Sequence, residues 1–121
     1  MRLQVIVRDT EDEAWAAAEA LIAGASEFHR QAISQMWDQS ESNSRMKELV
    51  EAPDHRLGPH LWSGISTLRP GAGVAVVGDP EQVASTLREF VDIGCSEFCL
   101  SGYPHDVEAE RFGRLVMPLL R

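Results

Sequence analysis

Ser101-Gly102-Tyr103-Pro104-His105 brings together the only tyrosine of the chain and a histidine whose imidazole can gain or lose a proton near neutral pH. An apolar segment, 97–100, precedes it, and a helical pattern opens near Asp106. The junction of a strand's carboxyl end with a helix is where parallel α/β proteins place their chemistry. A Tyr103 phenol held there can donate a hydrogen bond to an oxygen of a substrate or cofactor. Both residues also have a structural use, Tyr103 as a packing aromatic and His105 as a local partner of the helix start.

Other reactive residue types form weaker patterns. His55 and His60 are spaced like half of a zinc site and Cys95 and Cys99 like the other half, but the cysteines flank a strand and no metal is expected. Four extended residues separate Cys95 from Cys99 by about 13 Å, too far for a disulfide, so two buried thiols in a reducing compartment are expected. Gly71-Ala72-Gly73 precedes a strand instead of following one and lacks a third glycine, which makes it a hinge and not a nucleotide cradle. Trp15, Trp37 and Trp62 read as core or interface anchors.

The 121 residues include 19 acidic and 11 basic side chains, for a formal net charge of −8. No Lys/Arg run tracks a phosphate backbone, so nucleic acid is not an expected partner. No apolar stretch approaches the roughly 18 residues of a membrane span, and Met1-Arg2-Leu3-Gln4 leads into a strand, so a soluble cytoplasmic protein is expected.

The elements that must position these residues are legible in outline. Residues 3–7 (Leu-Gln-Val-Ile-Val) form a strand, and Thr10-x-x-Glu13 reads as a capping box before the alanine-rich run 14–23. A second helical stretch starts near Ser26, carries Phe28, Ile33, Met36 and Trp37, resumes over 45–51 and stops at Pro53. Residues 54–73 show no periodicity and read as one long insertion loop. Residues 74–77 form a strand, and Asp79-Pro80 with Gln82 caps a helix carrying Val83, Leu87, Phe90 and Val91 inward until Gly94. A strand at 98–100 and a last helix with Phe112, Leu115, Val116 and Leu119 on one face complete a single domain of order β-α-α-loop-β-α-β-α. Helical crossovers between strands imply a parallel sheet. The runs Val5-Ile6-Val7 and 74–77 are continuously apolar, as in strands buried on both faces.

Arg2-Leu3-Gln4-Val5-Ile6-Val7-Arg8, the stretch from Leu61-Trp62-Ser63-Gly64 to Leu68-Arg69-Pro70-Gly71-Ala72-Gly73, Val77-Gly78-Asp79, Leu100 to His105 and Val116-Met117-Pro118-Leu119-Leu120 together resemble the C-terminal portion of a flavin-dependent alkanesulfonate monooxygenase of the bacterial-luciferase-like superfamily. The resemblance implies a partial (βα)8 barrel: about three C-terminal βα units with parallel strands and a helical insertion. It implies reduced FMN as cofactor, an alkanesulfonate and O2 as substrates, and oxidative carbon–sulfur cleavage to an aldehyde and sulfite. The family's Arg and His of one strand, its mobile-loop Arg and its Tyr after the last strand fall on Arg2, Gln4, Arg69 and Tyr103. Tyr103 and His105 are the cofactor-facing candidates. Guanidinium groups suit a sulfonate, a permanent anion, and Arg69 stands in a Gly/Pro-rich segment able to close over it and exclude water. At Gln4 an amide replaces the family's imidazole, which removes proton transfer at that position.

A partial barrel lacks the upstream flavin and substrate groups, so the chain is expected to be inactive alone. It would require an N-terminal partner chain, or would persist as a non-catalytic, self-associating half-barrel. Three strands covered by helices on one side would leave an apolar inner face, and a homo-oligomer would bury it.

Overall fold

The computed structural model describes residues 1–23, 56–64 and 74–120. Their elements run β1 (Arg2–Val7), α1 (Glu11–Ala23), β2 (Leu61–Trp62), β3 (Ala75–Gly78), α2 (Pro80–Asp92), β4 (Cys99–Ser101), α3 (His105–Leu115) and α4 (Met117–Leu120). The helical stretch expected from Ser26 to Glu51, and Arg69 with its loop at 66–71, lie outside the described residues.

Local chemistry sets the helix starts. At α1 the Glu13 N–H donates to Thr10 Oγ1 at 3.2 Å, and Glu11, Asp12 and Glu13 place negative charge at the positive end of the helix dipole. At α2 the capping box is complete: Gln82 N–H donates to Asp79 Oδ1 at 2.8 Å, and Asp79 N–H donates to Gln82 Oε1 at 2.9 Å. Past its end Gly94 sits at φ +108°, a conformation that side-chain-bearing residues rarely adopt. Val83 and Leu87 are buried as expected and Phe90 is half-buried, but Val91 is exposed. Thirteen helical residues span about 20 Å and the four of β3 only about 13 Å, so the last turn of α2 overhangs its strand. The final helical pattern is split at the buried Val116, just before Pro118, whose ring disfavours a continuous helix.

The sheet order is β2-β3-β1-β4. β1 pairs in parallel with β3 on one side and with β4 on the other. β2 runs antiparallel to β3, opposing Leu61 to Val76 and Trp62 to Ala75. The stretch 54–73 is not one featureless loop, because Leu57 N–H donates to Leu61 O and Val77 N–H to His60 O, seating β2 on the sheet. The sheet is therefore mixed and not wholly parallel. A two-residue strand has no period, so its pairing was invisible locally.

The order also departs from that of consecutive barrel staves, in which β3 would lie between β1 and β4. Here β1 occupies the middle. The connection from β1 to β3 carries α1 on one face, and the return from β3 past β1 to β4 carries α2 on the other. Right-handed crossovers give that result when the chain reverses its direction across a sheet.

The two faces have separate cores. Leu3, Val5 and Val7 of β1 pack with Val76, Val83, Ala84, Leu87 and Val116 beneath α2, α3 and α4. Ile6, Ala75 and Val77 pack with Ala14, Trp15, Ala18 and Trp62 beneath α1. The Arg56 guanidinium lies 3.8 Å from the centre of the Trp15 ring, which ties the turn before β2 to α1. The open inner face expected for a half-barrel is thus covered, and the described residues form a three-layer α/β/α arrangement. Among the described residues no helix is long and apolar enough to cross a membrane.

Candidate functional site

Alternation along a strand and register between strands decide which sequence candidates meet. Arg2 is opposite Cys99, and Gln4 is opposite Ser101. Parallel neighbours in register share a side of the sheet, so Arg2, Gln4, Cys99 and Ser101 occupy the α1 side of the β1–β4 pair. Tyr103 packs against the core of that same side. The fold therefore brings Gln4 and Tyr103 to one face.

Arg2 is exposed at the amino end of β1, whereas Tyr103 lies past the carboxyl end of β4. Four extended residues separate Tyr103 from Cys99, the register partner of Arg2, a span of about 13 Å. His105 is exposed, with its ring centre 5.1 Å from that of Tyr103 at an interplanar angle of 45°. Arg69 lies outside the described residues.

Gln4 is only 2% exposed, and among the described residues its Oε1 has no hydrogen-bond partner. A buried carbonyl oxygen without a donor costs about 1–3 kcal/mol, so this amide is held against its own solvation preference. It can accept an N–H or O–H from a bound molecule. It cannot carry a proton near pH 7.

A second group, at the carboxyl ends of β1 and β4, escaped the sequence reading. Glu108, 5% exposed, receives Arg8 Nη2 at 2.9 Å on Oε1 and Arg8 Nη1 at 3.1 Å on Oε2, while Arg111 Nη1 reaches Oε1 at 2.7 Å. Arg8 Nη1 also donates to Val7 O at 2.8 Å. Two guanidiniums on one carboxylate satisfy a buried charge that would otherwise be costly. Gly102 makes room for it, because a Cβ there would stand 2.5 Å from Glu108 Cβ and 3.2 Å from Val5 O. The Glu108/Arg111 spacing of i, i+3 was the available local signal, and only the fold supplies Arg8. Beside this network a cleft of about 360 Å³ is lined by Val5, Phe98, Leu100, Ser101, His105, Glu108, Ala109 and Phe112.

The adjoining strand ends are tied together. Gln82 Nε2 donates to Glu11 Oε2 at 2.9 Å, and this hydrogen bond holds the Glu11 carboxyl below its ordinary value. His60 Nδ1 lies 3.2 Å from Val77 O, within hydrogen-bond distance. Cys95 and Cys99 are both free thiols, but Cys95 is half-buried and Cys99 is exposed, contrary to the expectation of two buried thiols. Cys99 lies on β4, the outermost strand on that side among the described residues. Among the described residues no three His, Cys, Asp or Glu side chains converge as a metal-ligand set.

The luciferase-like monooxygenase family model matches residues 1–97. The chain belongs to that family. The match takes in β1 through α2, with Arg2, Gln4 and Arg69, and stops before Tyr103 and His105. Luciferase-like monooxygenases generally use reduced flavin. The described residues fit such a group at one point, the orphaned Gln4 Oε1, which suits a ring N–H. They offer no cradle for its phosphate: the N-terminus of α2 is closed by its own Asp79–Gln82 box, and Arg8 and Arg111 are committed to Glu108. A complete flavin site is therefore not made by these residues alone.

Proposed function

We propose that this chain supplies part of the substrate side of a reduced-FMN-dependent alkanesulfonate monooxygenase. In that reaction one oxygen atom of O2 enters the substrate carbon as it leaves sulfur, giving an aldehyde and sulfite, and the other becomes water. The family match over residues 1–97 is the observation that carries the reading. In this reading the exposed Arg2 guanidinium meets the sulfonate, and Gln4 accepts a hydrogen bond without moving a proton. The Tyr103 phenol, with His105 beside it, donates toward an oxygen of substrate or flavin, and Arg69 closes over the anion. The remaining flavin contacts come from an N-terminal partner chain. The cytoplasm, where Cys95 and Cys99 stay reduced, is the compartment in which we place it.

Sulfite release from octanesulfonate under reduced FMN and O2 tests this. The chain alone is expected to give background, and Gln4→His alone is not expected to change that. Addition of the N-terminal part of a related barrel should raise the rate, and Arg2→Ala should abolish the increase. Turnover by the chain alone, or no turnover in the combination, would overturn the reading.

The covered sheet favours a second reading. Because both faces are packed, the described residues have a closed core of their own, and the chain can persist as a non-catalytic module.

A further inference from the structure

We infer that β4 is an internal competitor of the N-terminal partner chain, on the reading that such a chain completes the flavin site. It holds the edge of β1 that the partner's last strand must take, so the chain joins a barrel only after β4 has let go. The sheet order carries this. Luciferase-like monooxygenases are (βα)8 barrels. In such a barrel each strand pairs in parallel with its predecessor and its successor, and every helix lies on the outer side. As consecutive staves, β1 would pair with the partner's last strand on one edge and with β3 on the other, and β3 would pair with β4. Among the described residues the order is instead β2-β3-β1-β4.

One edge of β1 is used alike in both arrangements. Toward β3, Gln4 N–H donates to Val74 O at 2.9 Å and Arg8 N–H to Gly78 O at 3.3 Å. The other edge is taken by β4, through the register Arg2↔Cys99, Leu3↔Leu100 and Gln4↔Ser101 and the bond from Cys99 N–H to Met1 O at 2.8 Å. A strand edge has room for one neighbour, so β4 and an incoming parallel strand exclude each other. The place that β4 would take in a barrel is filled as well. β2 pairs antiparallel on the far edge of β3, where Val77 N–H donates to His60 O at 2.8 Å.

The layers add a third obstacle. α1 packs on one face of the sheet and α2, α3 and α4 on the other, whereas barrel helices share one face. Moving β4 from beside β1 to the far side of β3 shifts it by three strand spacings, about 14 Å. That shift carries α3 with it and parts Arg8 from Glu108, a pair held at 2.9 Å with the carboxylate only 5% exposed. Breaking a buried pair is strongly unfavourable, so the released form is a minor species and association waits for it.

An engineered bridge between β1 and β4 tests the exclusion. Cys99 is a free thiol, and its register partner Arg2 stands one strand away, about 4.8 Å between Cα atoms and within disulfide reach. In consecutive staves β3 would separate them by about 10 Å, beyond that reach. Arg2→Cys in a Cys95→Ser background should therefore close a bridge between positions 2 and 99 on oxidation. Failure to close it would overturn the place of β4 beside β1. Sedimentation velocity then measures binding to the N-terminal part of a luciferase-like barrel that ends at the strand before the segment matching β1. The reduced variant should associate, and the bridged form should bind at least about tenfold more weakly. Gly102→Ala, whose Cβ would stand 2.5 Å from Glu108 Cβ and 3.2 Å from Val5 O, loosens α3 on β1 and should speed association about tenfold. Equal binding by bridged and reduced forms, or a Gly102→Ala rate no faster than that of the parent, would overturn the competition and leave the partner reading in place. Association by no form, Gly102→Ala included, would overturn both.

Discussion

Gln4→Met should make the protein more stable, although Gln4 stands at a position where the family resemblance implies chemistry. The side chain is 2% exposed in the central strand, and among the described residues its Oε1 lacks a donor. Methionine has nearly the same length and no branch, so the substitution conserves volume and costs under about 1.5 kcal/mol in repacking. Removing an unsatisfied buried carbonyl returns about 1–3 kcal/mol. The net expectation is a gain of about 1 kcal/mol, which for a domain of this size raises Tm by about 4 °C. Gln4→Ala serves as the control: it removes the same carbonyl but leaves a void, and should be destabilising. Chemical denaturation with unchanged m-value, checked by thermal melting, measures both. A Gln4→Met protein no more stable than the parent would show that the amide is satisfied in solution, and the argument that a polar group is kept here at a cost in stability would fall.

Gly102→Ala should destabilise by about 1–3 kcal/mol in urea denaturation, because its Cβ would meet Glu108 Cβ at 2.5 Å and push the carboxylate off Arg8 and Arg111. Asp79→Ala should cost about 1 kcal/mol by the same measurement, since it opens the capping box at α2. The hydrogen bond from Gln82 lowers the Glu11 pKa from its ordinary 4.5, so the resulting stability is fully present above 4.5 and is lost as pH falls through the lower folded value. Denaturation midpoints followed below pH 4.5 should fall less steeply in Glu11→Gln than in the parent, and equal slopes would show that the bond does not form in solution.

Much of this fold could be read along the chain, because helix caps and strand hydrophobicity are local. The box at Asp79, Pro80 and Gln82 and the stop at Gly94 mark α2, and the apolar runs mark β1 and β3. Those runs also announced burial on both faces. Which layers would provide it was not legible, because strand order depends on which face each crossover takes, and the folded chain alternates α1 and α2 where a barrel would not. Tertiary pairing alone inserted β2, set Gln4 beside Ser101, and carried Arg8 across 100 residues to Glu108. Tyr103 and His105 were placed by their own strand-to-helix junction. The solvation of Gln4 and the buried charge of Glu108 were decided by partners distant in sequence, and no periodicity records such partners.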